Sequence, residues 1–281
     1  MVERVSGRTC EQYLKENVWE PIGMDHTFVV ATRVASLDAQ GLYFKDKEGR
    51  LQKAPWKHRD VFVSSGSVKS SVSDLLKYVR MYMDGGQASP EAGGKQVASR
   101  ATVGRMTAPY YGVGPGTYYA HGLTVRPNYA PGYTLVNHGG NIVGVAAYIG
   151  FIPEAKVGIV VLSNLSGFPA AKVWFAAANL VLGLPIEHQA SHLEPVDLPE
   201  EHLHKFAGRY VSGEGATISL EVKEGKLYAS MGEKQLPAYP VGYDAVATEV
   251  DGDQTVLRFL FDAWGKARAL RQGLRIVPRA E

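Results

Sequence analysis

The stretch Asn137–Asn164, NHGGNIVGVAAYIGFIPEAKVGIVVLSN, decides the fold. Its second half reads as a hairpin. Val145–Ile152 and Lys156–Ser163 are apolar and β-branched, and Pro153-Glu154-Ala155 separates them as a turn. The run VGIVVL, residues 157–162, puts apolar side chains on both of its faces. Such a strand is expected at the centre of a sheet, covered on both sides. Ala170–Leu184 reads as the helix that covers it. Upstream, Tyr118–Arg126 and Gly132–Asn137 read as two more strands, joined by the turn Pro127-Asn128-Tyr129-Ala130-Pro131-Gly132.

Further toward the start, Thr9 and Gln12 are spaced as a capping box at the head of a helix. Tyr13, Leu14, Val18 and Trp19 give that helix an apolar face, and Pro21 is expected to end it. Gly41–Leu51 reads as a hairpin turning at Asp46-Lys47-Glu48-Gly49. Ser71 and Asp74 have the spacing of a second capping box. Leu75, Leu76, Val79, Tyr82 and Met83 follow as one stripe, and Gly85-Gly86 is a helix stop. Gln87–Met106 reads as a loop and a short helix.

The composition shifts at Pro185–Pro199, a proline-, acid- and histidine-containing stretch without a hydrophobic period, as in a linker. Beyond it come short alternating segments: Ala216–Glu224, Lys226–Met231, Ala245–Val250 and Val256–Phe261. Glu224-Gly225 and Asp251-Gly252 punctuate them as turns, the pattern of a small all-β module.

Bulk properties exclude several classes. A chain of 281 residues with 30 Lys plus Arg and 28 Asp plus Glu is too near neutrality to imply a nucleic-acid partner or an anionic membrane surface. A single cysteine, Cys10, rules out an internal disulfide framework. No apolar stretch is long enough for a spanning helix. Met1–Gly7 lacks the apolar core of a signal peptide, so the sequence as it stands reads as cytoplasmic.

Three segments together resemble the serine β-lactamase-related family of class C β-lactamases, DD-peptidases and their esterase relatives. They are Val5–Met24, Ser64–Gly86 and Asn137–Asn164, in the family's order and spacing. Phe206-Ala207-Gly208-Arg209-Tyr210 and Lys226-Leu227-Tyr228 are similar to the small lipocalin-like barrel that many members carry. The resemblance implies a mixed α/β (α+β) fold. A transpeptidase-like antiparallel sheet flanked by helices occupies residues 1–190, N-terminally incomplete, and an all-β barrel domain occupies residues 191–281.

The family's chemistry uses Ser-x-x-Lys for the nucleophile, Tyr-x-Asn for a proton shuttle, and a Lys/His-Thr/Ser/Gly-Gly edge strand with an oxyanion-hole amide. By this match His138 points into the site, Gly139 and Gly140 let substrate backbone approach, and the amide of Asn141 donates to the oxyanion. The other two motifs are absent. No lysine has a serine three positions before it, no tyrosine has asparagine two positions after it, and there is no Gly-x-Ser-x-Gly elbow. The expectation is that one contiguous N-terminal piece is missing.

The first reading is therefore a fragment of a serine hydrolase acting on a lactam, a D-amino peptide or a small ester. A non-catalytic binding or regulatory protein on the same scaffold is the alternative. A third possibility is a nucleophile among Ser64, Ser65 and Ser67 near Lys69. No cofactor or metal is called for. His188 with His192, and His202 with His204, fall in linker-like sequence. His121 reads as structural, Tyr110, Tyr111, Tyr118 and Tyr119 as hairpin packing, Cys10 as inert, and Trp264 as core or turn packing. The expected partners are a small-molecule or peptide substrate. A separate N-terminal fragment or a second copy is also expected along the strand Val157–Leu162, where the family has a neighbouring strand. Limited proteolysis is expected to cut at Leu184–Pro199 and release a C-terminal piece of roughly 80–90 residues with β-type circular dichroism. Cleavage confined to the termini would contradict the two-domain reading.

Overall fold

The computed structural model describes residues 1–29, 39–56, 65–189, 193–213, 215–232, 234–250 and 253–280. Ser64, His192 and the Asp251-Gly252 turn lie outside the described residues. The chain divides into two units, Met1–Tyr111 with Thr117–His188, and Gly112–Gly116 with Gln189–Glu281.

The first unit opens with α1 (Val2–Ser6) and α2 (Cys10–Leu14). The Thr9 hydroxyl accepts from the Gln12 amide at 3.2 Å, and the Gln12 side chain accepts from the Thr9 amide at 3.2 Å, completing the capping box. The helix then widens into a π turn, Lys15–Trp19, and restarts as α3 (Glu20–Ile22). Pro21 does not end it. It sits in the first turn of α3, where its missing N–H leaves no helical bond broken, and Gly23, at φ 73°, makes the stop. Trp19, Ile22 and Met24 are buried in the same core as Val79, Tyr82, Val136 and Phe151. Tyr13, expected on that face, is exposed.

The strands β1 (Leu42–Lys45) and β2 (Leu51–Ala54) form the expected hairpin, whose turn is closed by Asp46 accepting from the amides of Glu48 and Arg50. Next comes α4 (Val72–Met83), capped by Ser71, which accepts from the Asp74 amide at 3.2 Å. The second half of the expected capping box is not made. Asp74 is 1% exposed, and its carboxylate accepts from the His26 amide and the Thr27 hydroxyl, each at 2.8 Å. Turned inward, it accepts from two donors of the chain just past α3 instead of from the Ser71 amide. A short α5 (Arg100–Met106) follows.

Six strands then lie side by side in chain order: β3 (Tyr111–Gly114), β4 (Thr117–Tyr119), β5 (Thr124–Ala130), β6 (Tyr133–Ile142), β7 (Val145–Ile152) and β8 (Val157–Ser163). The expected strand Tyr118–Arg126 is split by a tight turn in which the Ala120 amide donates to the Leu123 carbonyl and Gly122 takes φ 79°. The expected turn over residues 127–132 is shorter. β5 runs through Pro127 to Ala130 by means of a bulge, with Asn128 at φ 52°.

The helix α6 (Ala170–Val181) packs on the face of Ile159 and Gly150, and α4 packs on the opposite face, against Gly158. VGIVVL is thus covered on both faces, as its composition requires. It is nevertheless not central: among the described residues β8 is the last strand of the sheet. Helices above and below satisfy apolar side chains, and that demand says nothing about the backbone edge.

In the second unit α7 (Glu200–Phe206) precedes eight antiparallel strands in chain order: β9 (Gly208–Val211), β10 (Thr217–Lys223), β11 (Lys226–Met231), β12 (Lys234–Gly242), β13 (Ala245–Val250), β14 (Asp253–Phe261), β15 (Ala267–Gln272) and β16 (Arg275–Pro278). The first and last strands meet where Tyr210 bridges Arg279 and the Ala280 amide donates to the Arg209 carbonyl at 2.7 Å, so the sheet is a nearly closed barrel. Its interior is filled by side chains, with Phe206 packed on Phe259 at 4.8 Å between ring centres. Glu224-Gly225 turns with both φ values positive, the geometry that a two-residue hairpin prefers. Trp264 is no core residue. It is 90% exposed, in the turn after β14.

A Cβ on Gly150 would collide with the Val136 carbonyl oxygen, lie 2.6 Å from the Trp174 ring and lie 2.7 Å from the Asn137 Cβ. Gly150→Ala is expected to lose about 1–3 kcal/mol of stability by overpacking, read from the urea unfolding midpoint. An unchanged midpoint would contradict this packing.

Candidate active site

The strand β6 is longer than its neighbour. Thr124, the first residue of β5, lies opposite Asn137, whereas β7 pairs with β6 all the way to Ile142 opposite Val145. From His138 to Ile142 the strand is therefore paired on one side only among the described residues. All four residues expected to line a site, His138, Gly139, Gly140 and Asn141, fall on this overhang.

Alternation along the strand gives them different tasks. His138 and Gly140 share one face and are exposed, while Asn137 and Gly139 face the α6 layer. The two glycines are not equivalent. A Cβ on Gly139 would lie 2.5 Å from the Tyr148 ring, so packing alone demands glycine there. A Cβ on Gly140 would meet nothing within 4 Å, and among the described residues the space above it is open. The His138 Nε2 lies 3.2 Å from the Tyr119 hydroxyl, with the ring centres 6.0 Å apart. Tyr119, read as hairpin packing, is thus the side chain that orients the histidine. Only the fold joins it to His138, since 19 positions separate them. At the far end Asn141 Oδ1 accepts from the Gly167 amide at 3.4 Å, and the Gly144 amide donates to the Ser166 hydroxyl at 2.5 Å, which fixes the tip of the overhang.

Beneath the overhang is a buried polar network. Asn137 Oδ1 accepts from Tyr148 Oη at 2.9 Å and from Arg126 Nη1 at 3.1 Å. The Arg126 guanidinium stacks 4.9 Å from the Phe175 ring centre. Asn137 Nδ2 is buried without a hydrogen-bond acceptor. Sequence reading missed this layer because Arg126, Asn137 and Tyr148 lie on three different strands.

The other candidates have structural positions. Ser65 is exposed and Ser67 is buried. The Lys69 ammonium donates to the carbonyls of Val29 at 2.7 Å and Ser67 at 2.8 Å. Burial lowers its pKa, against the opposing pull of Glu11. His121 packs on Tyr110, and His188 on Tyr129. His202 is 2.8 Å from the Tyr243 carbonyl, and His204 is 3.8 Å from Glu200.

Residues 1–182 match the family model described as Beta-lactamase. The chain belongs to the Beta-lactamase family. The similarity to curated members is distant. It is 26% identical over 211 residues to the unguisins hydrolase ungD of Aspergillus violaceofuscus (strain CBS 115571), covering 66% of this chain and 36% of that protein. It is 28% identical over 205 residues to a beta-lactamase of Pseudomonas fluorescens, covering 62% of this chain and 53% of that one. The chain thus spans between about a third and a half of these relatives. Among solved structures it is similar to the octameric penicillin-binding protein homologue from Pyrococcus abyssi. There the identity is 28% and the TM-score 0.60, with 99% of this chain and 62% of that chain covered. It also shares its fold with SurE at a TM-score of 0.70 and 16% identity, over 99% of this chain and 65% of that one.

Burial pushes the phenol of Tyr148 above its ordinary pKa, with Arg126 pulling the other way, and burial likewise raises Tyr82 and Tyr129. An unfolded chain ionises its tyrosines near pH 10 while these three keep their protons. Stability is therefore fully present below about pH 10 and falls as the pH rises past it. Urea midpoints taken from neutral pH to beyond pH 10 should show this decline, and Tyr148→Phe should make it shallower. A midpoint insensitive to alkali would contradict the burial of these phenols.

Proposed function

We propose that this chain is the substrate-aligning part of a serine hydrolase that cleaves amide or ester bonds through an acyl-enzyme. The nucleophile and its proton acceptors then come from sequence outside these 281 residues. One observation carries the reading: β6 outruns β5, leaving His138–Ile142, among the described residues, with an unpaired backbone edge over open space at Gly140. A lactam, a D-amino peptide or a small ester lies along that edge. Its carbonyl carbon is attacked by a serine oxygen, the serine proton passes to the base, and the carbonyl oxygen takes the negative charge. The Asn141 amide donates to that oxygen, which stabilises the transition state more than the ground state. Collapse expels the amine or alkoxide with a proton, and water then releases the acyl group. His138, held by Tyr119, faces this edge and supplies a polar contact to the substrate.

Family membership and similarity to a protein named as a hydrolase support the reaction class. The absence of Ser-x-x-Lys and Tyr-x-Asn supports the second clause. The same absence favours one other reading, a binding or regulatory protein that holds such a ligand without turnover. For partners, we infer association along β8, with a separate N-terminal segment or with further copies. The octameric state of the Pyrococcus abyssi homologue supports further copies.

The chain alone is expected to form no stoichiometric serine adduct with a fluorophosphonate or penicillin-type probe in intact-mass spectra, because losing a whole catalytic unit typically costs several orders of magnitude in rate. A clean adduct on Ser64, Ser65 or Ser67 would overturn the proposal. The DNA upstream of the Met1 codon separates the two remaining readings. Tyr-x-Asn shortly before it and Ser-x-x-Lys farther out support the hydrolase. Neither motif in any frame leaves the binding protein.

A further inference from the structure

The barrel of the second unit has two unlike ends. α7 closes one of them. Phe206 packs on Phe259 and Phe261 with ring centres 4.8 and 6.2 Å apart, a Cβ on Gly225 would lie 3.9 Å from the Glu200 carboxylate, and His202 Nε2 lies 2.8 Å from the Tyr243 carbonyl. The turns at Gly225 and Tyr243 follow β10 and β12, so both lie at this end. The opposite end carries the turns after β9, β11 and β15, and it holds a cavity of about 430 Å³. Ile218, Met231 and Val277, which belong to the barrel core, form its apolar wall.

Two polar side chains share that inner face. Leu257 is fully buried and lies opposite Gln272, which lies opposite Arg275 on β16. Opposed residues of a sheet share a face, so Gln272 and Arg275 occupy inward positions, and both line the cavity. A barrel filled for stability alone puts apolar residues at such positions. The Gln272 side-chain amide has no hydrogen-bond partner among the described residues.

We propose that this mouth is a binding site for a free aliphatic carboxylic acid of roughly six to ten carbons, since its volume lies at the small end of ligand pockets. The planar fork of N–H donors on Arg275 matches the two carboxylate oxygens, and the Gln272 amide donates beside it. Arg275 has five such donors and can hold a carboxylate beside the contact it already makes. The chain of the acid runs along Ile218 and Val277, and the flexible thioether of Met231 adapts to its shape. A hydrocarbon without a head group would cover both polar side chains and leave them nothing to bond. A cationic head would face the guanidinium. The inference does not depend on the hydrolase reading and is tested without activity.

Met231 is the only methionine of the second unit, so its methyl signal reports on this cavity alone. In the full chain with methyl-labelled methionine, octanoate is expected to shift that signal saturably, half-way at about 1 mM. Octylammonium, with the same chain and the opposite charge, should leave it in place. Arg275→Gln should weaken octanoate binding about tenfold and Gln272→Ala about threefold, with circular dichroism and thermal unfolding establishing that both variants are folded. No saturable shift up to about 20 mM overturns the proposal. An equal shift with octylammonium, or shifts of the first unit's methionines at the same concentration, shows general adsorption of amphiphiles and overturns it too. Unchanged affinity in both variants overturns the assignment of the head group.

Discussion

Trp174 lies beneath Gly150, and the arrangement of the first unit depends on that contact. The indole is fully buried, donates to the Ile159 carbonyl at 3.0 Å, and packs on Tyr148 and Phe175. It reaches the backbone of β7 and β8 only because Gly150 has no side chain. With α6 seated so close, Tyr148 is held over Gly139, and its hydroxyl reaches Asn137. The underside of the overhang is thereby filled at Gly139, and His138 and Gly140 are presented on the opposite face.

Much of this was legible in the sequence, for a physical reason. The hairpin of β7 and β8, the capping box at Thr9 and the turn at Glu224-Gly225 are set by residues only a few positions apart. Each prefers a local conformation that agrees with the fold. The illegible parts are those where a side chain has a choice of distant partners. Asp74 has the spacing of a capping box, yet its carboxylate goes to His26 and Thr27, 48 and 47 positions away. Pro21 looks like a stop until the π turn before it supplies a fresh helix start. The candidate site divides in the same way. His138–Asn141 is one contiguous stretch of a single strand. Tyr119, Arg126 and Tyr148 gather around it only through strand register, which single-residue patterns do not encode.

Among the described residues the expectation for VGIVVL is met in its covered faces and not in its central place, and this separates two requirements that composition merges. Apolar residues on both faces ask for a layer above and a layer below, and α4 and α6 meet that demand. Backbone amides and carbonyls ask for partners in the plane, and the sequence of a strand is nearly silent on whether they have them. Centre and edge strands can therefore share a composition, and only the topology tells them apart.

Among the described residues the sheet presents two such unpaired edges, and their chemistry differs. At the end of β6 the free edge is His-Gly-Gly-Asn, small and polar, backed by a buried hydrogen-bonded network and open above Gly140. Along β8 it is an uncharged apolar strand flanked by helices. An edge of the first kind offers backbone hydrogen bonds with little apolar area, so an occupant gains orientation more than affinity. An edge of the second kind adds side-chain burial to each backbone bond it makes. The distribution of glycine and β-branched residues along two strands thus gives one sheet a small polar edge and an uncharged apolar one.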